Sequence, residues 1–204
     1  MKKILLGVLA ASAILLISSS CCKEDASATD KSKVVLENIA QRKSVRHFTE
    51  QAVSKDQLET LVRAGMAAPT AVNKQPWAFV VMSERASMDA LSEKLPHAKM
   101  LKQAQAAIVV CGDMSKALEG EARDFWVQDA SAATQNILLA AEAMGLGAVW
   151  TGAYPGQERV NAIREALSLP ENIIPLCVIP IGYPTGEDQP KDKWKPENVH
   201  WEKW

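Results

Sequence analysis

Charge of one sign is the first thing this 204-residue chain lacks: 23 Lys and Arg stand against 24 Asp and Glu, a formal net charge of −1. A nucleic-acid binder would need a broad basic excess, so the balance excludes that class and leaves any local cation cluster for a small anion. Cysteine is scarce too, with four residues, two of them Cys21 and Cys22 near the start. Cys111 and Cys177 form no Cys-x-x-Cys and no zinc spacing, and His47, His97 and His200 are scattered, so no metal centre is expected. Each of these two cysteines sits in an apolar, strand-like run and reads as a buried, inert thiol. An exported location would permit a Cys111–Cys177 disulfide, although nothing in the sequence favours one. Catalytic signatures are missing as well: there is no Walker A loop and no Gly-x-Ser-x-Gly elbow. Gly145, Gly147 and Gly152 follow a helix and precede a strand, the reverse of a dinucleotide fingerprint. Asp124, Asp129 and Glu142 are conceivable paired carboxylates, but Asp124 and Asp129 are five apart, off one helical face, and read as solvated surface. Asp129 alone could instead partner an arginine near a ligand. An enzyme without a nucleophile or an acid/base pair borrows its chemistry from a cofactor, so no catalytic side chain is expected.

What is present begins with a leader. Lys2 and Lys3 precede an apolar run from Ile4 to Ile17, and Ser18-Ser19-Ser20 lead into Cys21-Cys22. That is the pattern of a secretory signal, and the run is short for a membrane span of about 20 residues. Small residues before a cysteine resemble the lipobox of bacterial lipoproteins, with Ser18 where leucine is usual and either Cys21 or Cys22 as lipid acceptor. An ordinary cleaved signal and an uncleaved anchor are the other readings. The expected organisation is therefore a signal peptide over 1–22, a polar flexible tether over 23–33 and one domain over 34–204. The expected location is the bacterial cell envelope, with a lipid anchor as the only membrane attachment; an unused leader would leave the chain cytoplasmic.

Within the domain, Lys33 to Arg42 reads as a helix. Ser54-x-x-Gln57 is a capping-box pattern ahead of a stripe of Leu58, Leu61, Val62 and Gly65, and Pro69 ends that helix. A strand follows from Trp77 to Met82, a short helix from Met88 to Leu95, another from Ala98 to Gln105 and a strand from Ala106 to Cys111. Phe125 to Met144 reads as the longest helix, with Ala130, Ala133, Ile137, Ala141 and Met144 on one side. Its alanines would admit close neighbours, in the core or at a subunit seam. Ala148 to Trp150 reads as a strand, Pro155 to Leu167 as a helix and Ile173 to Ile181 as a fully apolar strand. Helices outweigh strands, which fits an α+β or three-layer sandwich around a modest sheet.

The stretch Gln41-Arg42-Lys43-Ser44-Val45-Arg46-His47-Phe48 gathers cations around one serine at a helix end. Arginine forks suit phosphate oxygens and Ser44 can add a neutral hydrogen bond, so the stretch reads as the grip on a phosphorylated cofactor. A solvated basic patch is the alternative.

Five motifs in order resemble the FMN-dependent nitroreductases. They are Arg42-x-Ser44-x-Arg46-x-Phe48; Pro69-Thr70-x-x-Asn73-x-Gln75-Pro76-Trp77; the alanine-rich helix ending in Gly145-Leu146-Gly147; Trp150-Thr151-Gly152; and the tail Ile181-Gly182-Tyr183-Pro184 with Lys191, Lys193 and Val199-His200-Trp201. The resemblance implies a three-layer α-β-α sandwich and a homodimer with the flavin at its interface, the alanine-rich helix lying there. It implies that Arg42, Ser44, Lys191 and Lys193 hold the FMN phosphate and ribityl end. Arg46 would lie by the pyrimidine edge, Asn73 and Gln75 would read the flavin's amide-like edge, and Thr151 and Gly152 would pass their backbone against the ring. Lys99 is a weaker candidate, and Trp126 and Tyr154 are aromatics that face substrate or belong to the core. The implied activity is ping-pong hydride transfer, with NADH or NADPH as donor and nitroaromatics, quinones or similar electron-poor molecules as acceptors. A lipid-anchored flavin-binding or electron-relay protein without pyridine-nucleotide turnover is the alternative.

Overall fold

A computed structural model describes residues 26–204 of the chain. The expected signal peptide over 1–22 and the first residues of the tether lie outside the described residues. Helix α1 spans Ala26–Gln41 and so starts inside the stretch read as tether rather than at Lys33. Ala26, Ala28, Lys31 and Lys33 are residues a helix tolerates well, and polarity alone had pointed to a tether there. Helix α2, Lys55–Met66, begins as the spacing predicts. The Gln57 N–H donates to Ser54 Oγ at 3.2 Å and the Ser54 N–H donates to Gln57 Oε1 at 2.9 Å. That reciprocal cap contributes about 1 kcal/mol and aims Leu58, Leu61 and Gly65 inward.

The remaining elements alternate along the chain. Strand β1 is Trp77–Met82, helix α3 is Arg85–Lys94, β2 is Ala106–Asp113 and helix α4 is Phe125–Ala143. Then come β3 (Gly147–Ala148), β4 (Thr151–Gly152), helix α5 (Gln157–Leu167) and β5 (Ile173–Gly182). The sheet order is β1-β2-β5-β3 with β4 also on β5, and every pairing is antiparallel.

Strand β2 is buried along its whole length because helices cover both faces. Ile108 and Val110 pack toward Leu61 of α2 and Ile137 of α4. Val109 and Cys111 pack toward Leu91 of α3 and Ile163 of α5. The result is the expected three-layer α-β-α arrangement of class α+β. On α4 the inward stripe of Ala130, Ala133, Ile137 and Ala141 is fully buried. Trp126 and Tyr154 meet edge to face at 4.9 Å, Trp126 being buried and Tyr154 half-buried, so the core reading of this pair holds.

Two local expectations change, and the reading of the two cysteines as buried, inert thiols holds. The short helix expected over Ala98 to Gln105 is a single 3-10 turn, Lys99–Lys102. The strand expected from Ala148 to Trp150 is broken: β3 ends at Ala148 and pairing resumes at Thr151. Cys111 and Cys177 are both free and buried, in clusters on opposite faces of the sheet, so they do not pair. Burial pushes each thiol up to about 12. Among the described residues no helix is long and apolar enough to cross a membrane.

Candidate functional site

After α1 the chain runs without regular structure from Arg42 to His47. Two inward side chains fix its phase: Val45 and Phe48 are buried together with Ala104. The Val45 N–H donates to the Ala148 carbonyl at 3.0 Å, which lays the segment along β3. A Cβ at Gly147 would stand 2.5 Å from Val45 Cγ1, so the Gly145-Leu146-Gly147 turn must end in glycine for this contact to exist. Phe48 forms a bridge with Pro184, and the Thr49 N–H reaches the Tyr183 carbonyl at 2.8 Å. With Val45 and Phe48 turned in, Arg42, Ser44 and Arg46 line a groove.

The opposite wall comes from the far end of the chain. The Thr185 N–H donates to the His47 carbonyl at 3.1 Å and brings the tail alongside. Asp188 Oδ2 then accepts the Arg46 N–H at 2.8 Å and the His47 N–H at 3.3 Å, and lies 3.2 Å from His47 Nδ1. Burial alone would raise the Asp188 carboxyl. The Arg46 N–H, the His47 ring and the His47 N–H outweigh it and hold the group below the ordinary carboxylate range. Lys191 and Lys193 follow, and with Arg42, Ser44 and Arg46 they line one cavity of about 390 Å³.

Charge in this cavity is unbalanced. Lys43 is spoken for by Glu142 at 3.1 Å, in a pair that is largely shielded from solvent. Glu142 is thus the ion-pair partner of Lys43 and not half of a carboxylate pair. Among the described residues, Arg42, Arg46, Lys191 and Lys193 have no carboxylate within salt-bridge distance. Arg46 Nη1 donates to the Ser44 carbonyl at 3.3 Å, which turns its guanidinium along the groove. Glu187 and Asp188 line the same cavity and both lie against His47, so the four cations around the Ser44 hydroxyl, none with a carboxylate within salt-bridge distance, make a site that fits an anion.

Thr151 and Gly152 sit on β4, beside this groove. Ala148, whose carbonyl holds Val45, is three residues before Thr151, a Cα path of at most roughly 11 Å. The Thr151 hydroxyl is buried without a hydrogen-bond partner. A buried hydroxyl left in that state costs about 1–3 kcal/mol, which a polar ligand atom would relieve. Gly152 is exposed, and the direction its Cβ would take is open space.

Asn73 and Gln75 are elsewhere. They lie on an exposed turn after α2 in which Val72, Asn73 and Gln75 have φ of 42°, 55° and 51°. Asparagine tolerates left-handed backbone, but it is unfavourable for glutamine and more so for valine, and strain of this kind collects at functional loops. Asp129 Oδ1 of α4 accepts the Ala71 N–H at 2.8 Å, Thr70 Oγ1 accepts the Gln75 N–H at 3.1 Å, and Gln75 Nε2 donates to Asn73 Oδ1 at 3.0 Å. Asp129 therefore holds this turn by a backbone N–H and does not partner an arginine. Helix α4 measures the separation: from Asp129 to Glu142, which grips Lys43 at the groove, is about 20 Å. Within one protomer, then, Arg42, Ser44, Arg46, Lys191 and Lys193 come together, Thr151 and Gly152 lie nearby, and Asn73 and Gln75 stand apart. Lys99 stays exposed in its 3-10 turn. Sequence reasoning missed Asp188 and His47; the one visible signal was the carboxylate pair Glu187-Asp188 just ahead of the tail lysines.

A profile of the nitroreductase family matches residues 39–95 and 84–183. The chain belongs to the nitroreductase family. A family member from Methanothermobacter thermautotrophicus, provisionally described as an NADH dehydrogenase/NAD(P)H nitroreductase, is 45% identical over 83% of this chain and 87% of its own. The crystal structure of a similarly described protein from Bacteroides thetaiotaomicron superposes with a TM-score of 0.79 at 49% identity, covering 84% of this chain and 98% of its own. A provisionally described nitroreductase from Desulfovibrio desulfuricans, crystallised with FMN, gives 0.71 at 32% identity over 83% and 97%. In this nitroreductase-family chain the profile stops at residue 183, so the wall carrying Asp188, Lys191 and Lys193 lies beyond it.

Proposed function

We infer that this chain is an FMN-dependent NAD(P)H oxidoreductase that reduces nitroaromatic, quinone or similarly electron-poor acceptors and works as a homodimer. The observation that carries the reading is the cavity in which four uncompensated cations, from opposite ends of the domain, surround Ser44. Its residues fit FMN. The cationic groove suits a phosphate, the orphaned Thr151 hydroxyl suits a polar ring atom, and open space at Gly152 suits a flat ring. When bound, FMN supplies the two-electron chemistry, taking a hydride equivalent from NADH or NADPH and passing electrons to the acceptor.

The chain's own residues bind and orient. Arg42, Lys191 and Lys193 neutralise the phosphate and Ser44 adds a neutral hydrogen bond. Arg46 offers a fixed positive charge to the ring's edge, where reduction adds electron density. Asn73 and Gln75 each offer a donor and an acceptor, as an amide-like ring edge requires. Helix α4 spaces the Asp129 contact to this turn and the Glu142 contact to the groove about 20 Å apart along its axis, and supply of the turn by a second copy is the reading that fits the proposed homodimer. Exposed Val35, Leu36 and Ile39 on α1, with Trp194 and Trp201 in the tail, are the apolar surface such a dimer would cover. No groove side chain is assigned a proton transfer.

The test is a visible spectrum of the purified full-length chain, followed by anaerobic addition of NADH and then NADPH. A yellow protein, or one that takes up added FMN, bleached by either donor and recoloured by a quinone, is expected. A colourless protein that ignores FMN would remove the cofactor assignment. A flavin that neither donor bleaches would remove the turnover. We also propose that the leader is used and that Cys21 or Cys22 carries the lipid. Labelled palmitate should enter the wild-type chain and not the Cys21→Ala/Cys22→Ala double variant; incorporation into both would refute it.

A further inference from the structure

We propose that Asp188 is the positioning residue through which this chain selects FMN by its phosphate: its carboxylate clamps the C-terminal tail to the Arg46–His47 backbone and holds Lys191 and Lys193 opposite Arg42. The proposal rests on the FMN reading above. Its starting point is how little else ties the tail down. Every residue from Lys191 to Trp204 is exposed. Beyond Thr185, the described hydrogen bonds from tail to body are the three that Asp188 makes with Arg46 and His47. The other tail bonds stay local: Gln189 Nε2 to the Gly186 carbonyl, the Trp194 N–H to Asp192, and backbone turns within 195–203. Glu187 adds only a looser contact, 3.8 Å from His47 Nδ1.

A lysine three or five residues beyond such an anchor is confined to the groove, whereas the same lysine on an untied tail explores a much larger volume. The anchor thus raises the concentration of positive charge that a phosphate meets, and bears the ordering entropy before the ligand arrives. The sign of the effect is the notable part. A carboxylate in a phosphate groove should by charge alone repel the ligand, and Asp188→Ala would then tighten FMN. The Arg46 and His47 N–H groups already donate to Asp188 Oδ2, with His47 Nδ1 3.2 Å away, so the clamp predicts the opposite.

Riboflavin, which carries the same ring without the phosphate, separates the clamp from a general structural role. FMN and riboflavin are titrated by flavin fluorescence into purified full-length wild type, Asp188→Ala and Asp188→Asn, each stripped of flavin. Wild type is expected to prefer FMN. In Asp188→Ala the FMN dissociation constant rises about tenfold while that of riboflavin changes by less than about twofold. Asp188→Asn, which keeps an acceptor oxygen and loses the charge, falls between wild type and Asp188→Ala. Equal loss of both ligands, as in a variant that folds poorly, would overturn the clamp, and so would an unchanged FMN constant or a tighter one. Wild-type protein holding FMN no better than riboflavin would instead remove the phosphate reading, and the clamp with it.

Discussion

The two ends of α4 carry opposite kinds of structure. At its C-terminal end, Glu142 grips Lys43, and the neighbouring groove is assembled from segments more than a hundred residues apart. Its backbone is relaxed, its floor is Val45 and Phe48 in the core, and the protomer alone completes it. Toward the other end, Asp129 holds a turn made almost wholly of local contacts, strained at Val72 and Gln75 and exposed to solvent. The first region is a finished anion receptor. The second is a pair of exposed amides on a strained turn, facing solvent within the protomer. On the proposed reading, the first region would govern whether the cofactor is held, and the second how its ring is read once two copies meet.

Substitutions can break that comparison or sharpen it. Ile137→Ala, in the middle of the ruler and fully buried, should lower stability by about 3 kcal/mol in a chemical-denaturation experiment and loosen both regions together. Arg42→Ala should weaken FMN by about 30-fold in a fluorescence titration, through loss of charge-assisted bonds to phosphate, while the circular dichroism melt stays within a few degrees of wild type. Unchanged FMN affinity would show that the groove is not the phosphate grip. Asp129→Ala frees the Ala71 N–H and should lower stability by about 1–2 kcal/mol in the same denaturation assay. Its preference for FMN over riboflavin should survive, the reverse of Asp188→Ala. Val72→Gly removes a Cβ from left-handed backbone and should raise the melting temperature by about 2–4 °C, measured calorimetrically, unless a partner surface uses the valine.

Much of the framework was written locally. The Ser54–Gln57 cap, the inward alanines of α4 and the limits of β1 follow from spacing of a few residues, and spacing is what a sequence displays. The cations of the groove were legible for a related reason, because Arg42, Ser44 and Arg46 recur at short intervals. Asp188 was not, since its partners are 141 and 142 residues away and its own surroundings are an ordinary polar tail. Asp129 was misread because a carboxylate in a chain with a suspected ligand-binding arginine cluster suggests an ion pair, whereas a backbone N–H at a strained turn leaves no mark in composition. The break after Ala148 escaped notice because Val149 and Trp150 have strand-forming side chains while the chain there leaves the sheet.

The clamp also sets a schedule. Synthesis runs from the N-terminal to the C-terminal side, so Arg42, Ser44 and Val45 exist as polypeptide long before Lys191 and Lys193 do. A growing chain can bury most of its core while owning only one wall of the groove. On the proposed reading, cofactor loading waits for the segment that carries Asp188, Lys191 and Lys193, and a chain cut before Asp188 would keep its core and lack that wall.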